Sequence, residues 1–595
     1  MIRKYIRNDK LIIKKFYSYL ILGIIIVFAL QFGSLADGIV VGNFLGSEAL
    51  TATSLSLPVI YFVEIVGFGL SVGGPIVIGN LLGKRETEKA SKVMSFTLIF
   101  GFLVTLIFVP IGIFLSDHIA NLLSGNFKEL NPLISLYIKA YLFQAPILTV
   151  GLCFSGIIGA DNNPKLSALY YIVANVVHIG VEILFCLFAA EEMRIFWAGL
   201  STGIGFLAGL IVIIPYKFSK TRTLKFSLKN LAVRGYFTEV INSSTPGMLN
   251  IFLLFIMNLV MNIASTFFLT SASDLTIYAM MANSVFIVDL VVTGVLQLLP
   301  QVVGTLYGEK DYISIRAICK RILLISEIVA VALTAIVASF PQLFFYIFGV
   351  SLEGIGEAEL LAVRIYAISF IFYCLNKFIL SYYPSIGVNK ITNVNLLTRN
   401  LIVGAPLLFV LIMLNGIMGY AYGTIIIEAV SVLVSFVFAF ILYKKDKVEG
   451  KPILLLPEIR EDADYIECSA SGTSENISEM LEELRVKLES EYHISSLLSA
   501  YISIAIEEVT TNMNRFSSKS NHKPSMIDIS IKKNGDKVIV RIRDNNVSFD
   551  PTYKPENDEY GLEGLSIIKK VSREITYLRL LNLNNTIIEF NNMEA

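Results

Sequence analysis

The chain has 595 residues, of which 55% are hydrophobic and only 16% charged, with 40 Phe, 27 Tyr and one Trp. A soluble domain carries about 25% charge, so this composition excludes a single soluble enzyme, a disordered or fibrous chain and a disulfide scaffold. The formal net charge of zero hides two unlike parts: residues 1–450 hold 31 Lys+Arg against 24 Asp+Glu, and residues 451–595 hold 17 against 24. Such a split describes two solvents, hence a membrane body and a soluble tail.

The N-terminus is basic (Arg3, Lys4, Arg7, Lys10, Lys14, Lys15) and leads into an apolar run that continues past Gln31 to about Leu45. That run is longer than the core of a signal peptide, so it reads as a retained first helix. Runs of the roughly 20 apolar residues a spanning helix needs fall near 17–45, 51–82, 93–116, 131–158, 165–189, 194–216, 236–269, 275–307, 321–347, 360–385, 394–414 and 417–443. Pro58, Pro75, Pro146, Pro300 and Pro406 lie within them and predict kinks. With the N-terminus placed in the cytoplasm, the connections on that side hold 25 Lys+Arg and those on the other side hold two, Lys128 and Arg194. This asymmetry predicts a multi-pass protein of the cell membrane with both termini cytoplasmic. The five cysteines are scattered, four of them in apolar runs, and read as small buried hydrophobes.

The body contains a repeat. GNLLGKRETEKA at 79–90 aligns with GTLYGEKDYISI at 304–315 at an offset of 225, and at the same offset Glu64 falls on Asp289. IGADNNPKLSAL at 158–169 aligns with IGVNKITNVNLL at 386–397 at an offset of 228. Six helices separate each pair, so the halves run parallel. The expected divisions are an N-lobe over 1–225, a C-lobe over 226–450, a linker over 451–463 and a tail over 464–595. Two such bundles meeting at a cavity suit an alternating-access transporter, and nothing resembles a channel filter.

Ionisable side chains inside the membrane are costly, so each is a functional candidate. They are Asp37, Glu64, Glu182, Asp289, Glu327, Lys377, Arg399 and Glu428. Asp37 lies among Gly33, Gly38 and Gly42, where its charge state could bias a bend of the first helix. A carboxylate there can exchange a proton or bind Na⁺. Arg399 with Glu428 suits an internal ion pair, and His178 on an apolar helix suits either a core histidine or a site residue.

With LADGIVVGNFLGSEALTATSLSLP at 35–58, IIGADNNPK at 157–165, NLLTRNLIVGAPLL at 395–408 and GIMGYAYGTIIIEAVS at 416–431, the body resembles the multidrug and toxic compound extrusion (MATE) family. The resemblance implies an antiporter that exports small organic, often cationic compounds in exchange for H⁺ or Na⁺. It places Asp37 as the first-helix acid, and Asn175 and Thr202 in an N-lobe cation site. The acid that often follows the asparagine by one turn is Ile179 here, with Glu182 a turn later, which leaves the coupling ion open. A flippase for a lipid-linked intermediate and a membrane sensor governing the tail are the alternatives.

The tail reads as α/β: a strand near 464–469, helices 474–491 and 495–515, strands 525–533 and 536–543, a helix over 561–572, and strands 574–580 and 585–590. AIEEVTTNMN puts Glu508 and Asn512 on one helix face, suiting a water-activating base and an oxygen ligand for Mg²⁺. Asp544 ends a strand, and Gly561 and Gly564 open a helix where backbone N–H groups can hold phosphate. In this order these motifs resemble the GHKL ATPases, most closely the anti-sigma-factor serine kinases. That resemblance implies an α/β sandwich binding ATP with Mg²⁺. Glu508 would be the catalytic base, Asn512 the Mg²⁺ ligand, Asp544 the adenine reader, and Gly561, Leu562, Gly564 and Leu565 the phosphate-side box. Asn546 and Ser548 replace the family's two glycines after Asp544. No G-x-x-x-x-G-K-[ST] loop is present, so ATP is not expected to drive transport directly. The expected partners are the lipid bilayer, the exported compound and a cytoplasmic protein target of the tail. The acidic tail argues against nucleic acid.

Overall fold

In a computed structural model, the described residues are 10–83, 86–161, 163–218, 224–226, 234–296, 299–308, 311–445, 450–451, 453–457, 465–471, 473–518, 526–547, 550–552, 563–580 and 583–592. The first half of the body comprises α1 (Lys10–Leu45), α2 (Ser47–Leu55), α3 (Leu57–Gly83), α4 (Thr87–Leu106), α5 (Phe108–Ser124), α6 (Asn131–Ala160), α7 (Pro164–Phe188) and α8 (Arg194–Val212). The second half comprises α9 (Arg234–Phe268), α10 (Ala272–Leu296), α11 (Leu299–Gly308), α12 (Tyr312–Ser339), α13 (Gln342–Ile347), α14 (Glu357–Ala367), α15 (Ser369–Ser385), α16 (Asn389–Leu397) and α17 (Gly404–Lys445). A π-helical turn, Thr398–Ile402, joins α16 to α17.

Ten described segments are long and apolar enough to cross a membrane. One of them, 389–445, spans 57 residues and holds two of the predicted runs. They meet at Gly416, whose φ of 55° and ψ of −135° break the helical path. That left-handed backbone suits glycine alone among common residues. The prolines fall in two groups. Pro75 and Pro146 lie inside continuous helices, whereas Pro58, Pro300 and Pro406 stand in the first turns of α3, α11 and α17, where no helical N–H partner is lost. The anticipated kinks at these three are therefore helix restarts.

Thr51 and Thr276, 225 residues apart, meet through their hydroxyls at 3.3 Å. A twofold relation between halves brings equivalent residues together at its axis, and 225 is the offset of the sequence repeat. Side chains such as Phe114 and Phe188 are 75% and 80% exposed, as suits helices whose outer faces meet lipid rather than water.

The tail begins with a short hairpin, β1 (Gly450–Lys451) with β2 (Leu456–Pro457), which lies in the segment expected to be a linker. There follow β3 (Tyr465–Ser471), α18 (Ser474–Ser490), α19 (Ser496–Ser518), β4 (Met526–Asn534), β5 (Lys537–Asp544), α20 (Glu563–Val571), β6 (Glu574–Leu580) and β7 (Leu583–Asn591). The sheet is antiparallel throughout, in the order β3-β4-β5-β7-β6. Alternation sends Ile466, Cys468, Ile529, Val540, Ile542 and Phe590 to one face. There they form one core with Leu484, Leu488, Leu498, Ile502 and Val509 of α18 and α19. The α/β layering expected from the sequence is present as this small antiparallel sheet with helices on its apolar face.

Candidate functional site

The first helix brings Asp37 to a cavity of about 430 Å³, whose lining includes Glu64, Tyr137, Tyr141, His178 and Asp289. Helix α1 runs unbroken from Lys10 to Leu45, so the glycines around Asp37 carry no bend in this conformation. They mark close approach instead. A Cβ on Gly33 would fall 2.2 Å from Asn175 Oδ1, and one on Gly42 would fall 2.0 Å from the Phe348 carbonyl oxygen.

Around Asp37 the N-lobe gathers polar groups without a cation. The Tyr137 hydroxyl donates to Asp37 Oδ2 at 3.0 Å. His178 Nε2 stands 3.9 Å from Asp37 Oδ1 and 3.8 Å from Glu182 Oε2, and 3.3 Å from the Thr202 hydroxyl. One ligand-type atom from each of Asp37, His178 and Glu182 lies within 4.8 Å of the other two. Glu182 is fully buried. Among the described residues, neither of its oxygens nor Asp37 Oδ1 receives a hydrogen bond. No Lys or Arg reaches this cluster among the described ion pairs. The α7 helix explains the geometry, because His178 and Glu182 are i and i+4 on one face. Ile179, at the position where the resemblance leads one to expect an acid, lies off that face, so Glu182 takes the inward place a turn later.

Glu64 and Asp289, equivalent by the repeat, are treated differently. Glu64 accepts a bond of 3.4 Å from the Tyr141 hydroxyl. Asp289 is held by Lys377 Nζ at 2.6 Å, the Tyr373 hydroxyl at 2.7 Å and the Thr293 hydroxyl at 2.8 Å. Both line the same cavity, but Asp289 meets a lysine there and Glu64 a tyrosine. Arg399 and Glu428 form the anticipated ion pair, with contacts of 2.9 and 2.5 Å. Asn376 donates to Glu428 at 2.6 Å, and Asn395 donates to Asn376 at 2.6 Å. The π-helical turn carries Arg399, and a Cβ on Gly404 would come within 1.8 Å of the Arg399 carbonyl oxygen. Glu327 lies apart, on α12.

Sequence reasoning passed over Tyr137, Tyr141 and Tyr373. A usable signal was available: Tyr137 and Tyr141 are i and i+4 on an apolar helix, two hydroxyls on one face aimed at Asp37 and Glu64.

In the tail, Asn512 Nδ2 donates to Glu508 Oε1 at 2.8 Å, so the two share the face expected. Asp544 is fully buried at the end of β5; its Oδ1 accepts the Asn546 N–H at 2.7 Å and Asn584 Nδ2 at 3.1 Å. Val540, Ile542 and Asp544 alternate onto one face of β5, and that face meets the helices. Gly564 and Leu565 stand in the first turn of α20. Gly561, Leu562 and Ser548 lie outside the described residues. Burial pushes the Cys468 thiol up to about 12, reinforced by Asp528 and Glu467 nearby.

Comparison with known proteins gives the same reading of the body. The MatE family model matches residues 23–184. The chain is 21% identical over 419 residues to the multidrug export protein MepA of Staphylococcus saprophyticus, covering 69% of this chain and 90% of that protein. Against MepA of Staphylococcus haemolyticus the identity is 27% over 223 residues, covering 36% of this chain, so the match spans about half (48%) of that relative. A solved inward-facing multidrug resistance MATE family transporter of the MOP superfamily superposes with a TM-score of 0.63 at 18% identity, covering 72% of this chain and all of that one. The body therefore has the MATE fold.

Proposed function

We propose that the chain is a secondary multidrug exporter that exchanges small organic cations for H⁺ or Na⁺ at the Asp37 cluster. The observation that carries this reading is two clustered carboxylates with no Lys or Arg partner among the described residues, Asp37 at the wall of the cavity and the fully buried Glu182, with His178 beside both. Such a pair tolerates burial only by taking up protons or a cation. Tyr137, His178, Asn175 and Thr202 supply the oxygen and nitrogen atoms that orient the visiting ion. Tyrosine-lined walls with acids at Asp37 and Glu64 suit a flat cationic compound, which gains from cation–π and charge contacts together. When the ion and the compound compete for the same negative charge, binding of one releases the other, which is exchange. The test is efflux of ethidium from proteoliposomes under imposed proton or Na⁺ gradients. Asp37→Asn should abolish gradient-driven efflux while leaving the protein folded, and retained efflux would sink the coupling role.

For the tail we infer a nucleotide-binding regulatory module. The pair Glu508–Asn512 on α19, together with a buried Asp544 on the helix-facing side of the sheet, supports this reading. Asn512 uses its amide nitrogen on Glu508, which leaves an amide oxygen suited to Mg²⁺. Mg²⁺ bound with ATP would screen the phosphate charge. Mg²⁺-ATP binding to the full chain should be lost in Asn512→Ala, and equal binding by that variant would overturn the assignment.

A further inference from the structure

The tail's sheet has a polar face opposite its apolar core, the kind of face a free-standing antiparallel sheet leaves in water. Here much of that face is buried, although Lys532 towards its end is exposed. Ser469, Asp528, Ser530, Arg541, Arg543 and Asn585 alternate onto it, and none is more than 9% exposed. Buried arginines require a carboxylate or an equivalent acceptor; Glu467 of β3 stands 3.8 Å from Arg541, and the acceptor of Arg543 comes from far along the chain. Arg543 Nη1 donates to Asp311 Oδ2 at 2.9 Å, and Arg541 Nη2 stands 3.6 Å from the same oxygen. Asn585 steadies the first of these by accepting from Arg543 Nε at 2.9 Å. Segment 301–321, which contains Asp311, belongs to the same compact unit as the tail.

Asp311 lies in the connection between α11 and α12, and its side chain is fully buried. Its N–H closes the turn on the Leu306 carbonyl at 2.9 Å. Its Oδ1 accepts the Ser314 N–H at 3.2 Å, which caps the first turn of α12. One carboxylate therefore caps a helix of the body with one oxygen and holds the tail with the other.

The equivalent connection in the first half lacks this device. Glu86, at the repeat offset of 225 from Asp311, closes the same turn on Leu81 at 2.9 Å. Yet it makes no side-chain cap on α4. Its carboxylate instead pairs with Lys89 at 2.9 Å and is 37% exposed. Two equivalent turns thus use their carboxylates differently: Glu86 pairs with a nearby lysine at the surface, and Asp311 caps its helix and receives an arginine of the tail.

We propose that the α11–α12 connection is the docking site of the tail's polar sheet face, and that Asp311–Arg543 is a clasp through which the tail restrains α12. Withdrawal of the tail removes the arginine that fixes the Asp311 carboxylate, so the cap loosens and the start of α12 is freed. The docking half stands apart from the exporter reading, since hydrogen exchange reads it without transport.

The experiment compares amide hydrogen exchange in the full chain with that in Arg543→Gln, Asp311→Asn and Glu86→Gln. Both clasp variants should speed exchange over 312–318 by about tenfold, the size of a lost helix cap, with 87–92 unchanged. Glu86→Gln should leave 312–318 at the wild-type rate. Unaltered exchange over 312–318 in both clasp variants overturns the docking site. If Arg543→Gln unfolds the tail, seen as collapse of protection in β4 and β7, Asp311→Asn decides alone, because it leaves every tail residue in place. The two clasp variants should also run faster than wild type in ethidium efflux, and an unchanged rate with loosened exchange overturns the restraint.

Discussion

In the N-lobe, Asp37, Glu64 and Glu182 are surrounded by tyrosines, a histidine and a threonine, whereas in the C-lobe Asp289 holds Lys377 and Glu428 holds Arg399. Both halves hold carboxylates within apolar helices, with Glu182 and Glu428 buried. The C-lobe pairs its acids with a lysine and an arginine, whereas the N-lobe offers Asp37 and Glu182 only the imidazole of His178 among the described ion pairs. A buried pair is costly to break because the surviving charge stays buried, which suits a scaffold. A buried acid without a partner changes its occupancy with the medium, which suits coupling. Repeat symmetry therefore supplies two equivalent frames that differ in the placement of two basic side chains, and on the proposed function the frame without them does the exchange.

The sharpest way to break this contrast is to make the C-lobe resemble the N-lobe. Lys377→Met leaves Asp289 without its cation and should cost about 3–5 kcal/mol, read as a lowered melting temperature in detergent. Arg399→Met should cost a similar amount for the same reason. The double variant Arg399→Met with Glu428→Leu should recover most of that loss, since a buried pair replaced by apolar groups of like volume is often neutral. A double variant as unstable as the single one would show that the pair is not the unit.

The converse change acts in the N-lobe. Glu182→Gln removes a buried carboxylate whose oxygens receive no described hydrogen bond, and should stabilise the protein by about 1–3 kcal/mol while depressing gradient-driven efflux. Stability gained together with efflux intact would remove Glu182 from the coupling site. Gly33→Ala forces a methyl group against the Asn175 amide and should cost about 1–3 kcal/mol as overpacking, with weaker ion dependence of efflux. The smallest effect concerns the tail. With its thiol pushed up to about 12 by burial, Cys468 is protonated at pH 8 in the folded state and should resist maleimide until the tail is denatured.

The apolar runs, the repeat and the tail's strand order of appearance were all legible in residue order, because hydropathy and alternation are local properties. The strands expected at 525–533 and 536–543 stand at 526–534 and 537–544. Less legible was the function of the glycines about Asp37. Glycine signals either a bend or a close neighbour, and only the position of Asn175 and Phe348 distinguishes the two. Equally hidden was the inequality of Glu64 and Asp289, which match by offset and differ by a lysine 88 positions beyond Asp289 in the chain.

Sequence by itself determined that a positively charged membrane body precedes an acidic α/β tail, since each solvent imposes its own composition on the chain it surrounds. It also determined which ionisable residues lie in apolar runs. Tertiary structure alone decided which of those acids have partners, that Glu182 rather than Ile179 faces Asp37, and that Asp311 serves the tail while Glu86 does not. The reason is physical: a charge is satisfied by whatever lies within a few ångströms, and that distance is set by packing of helices far apart in the chain.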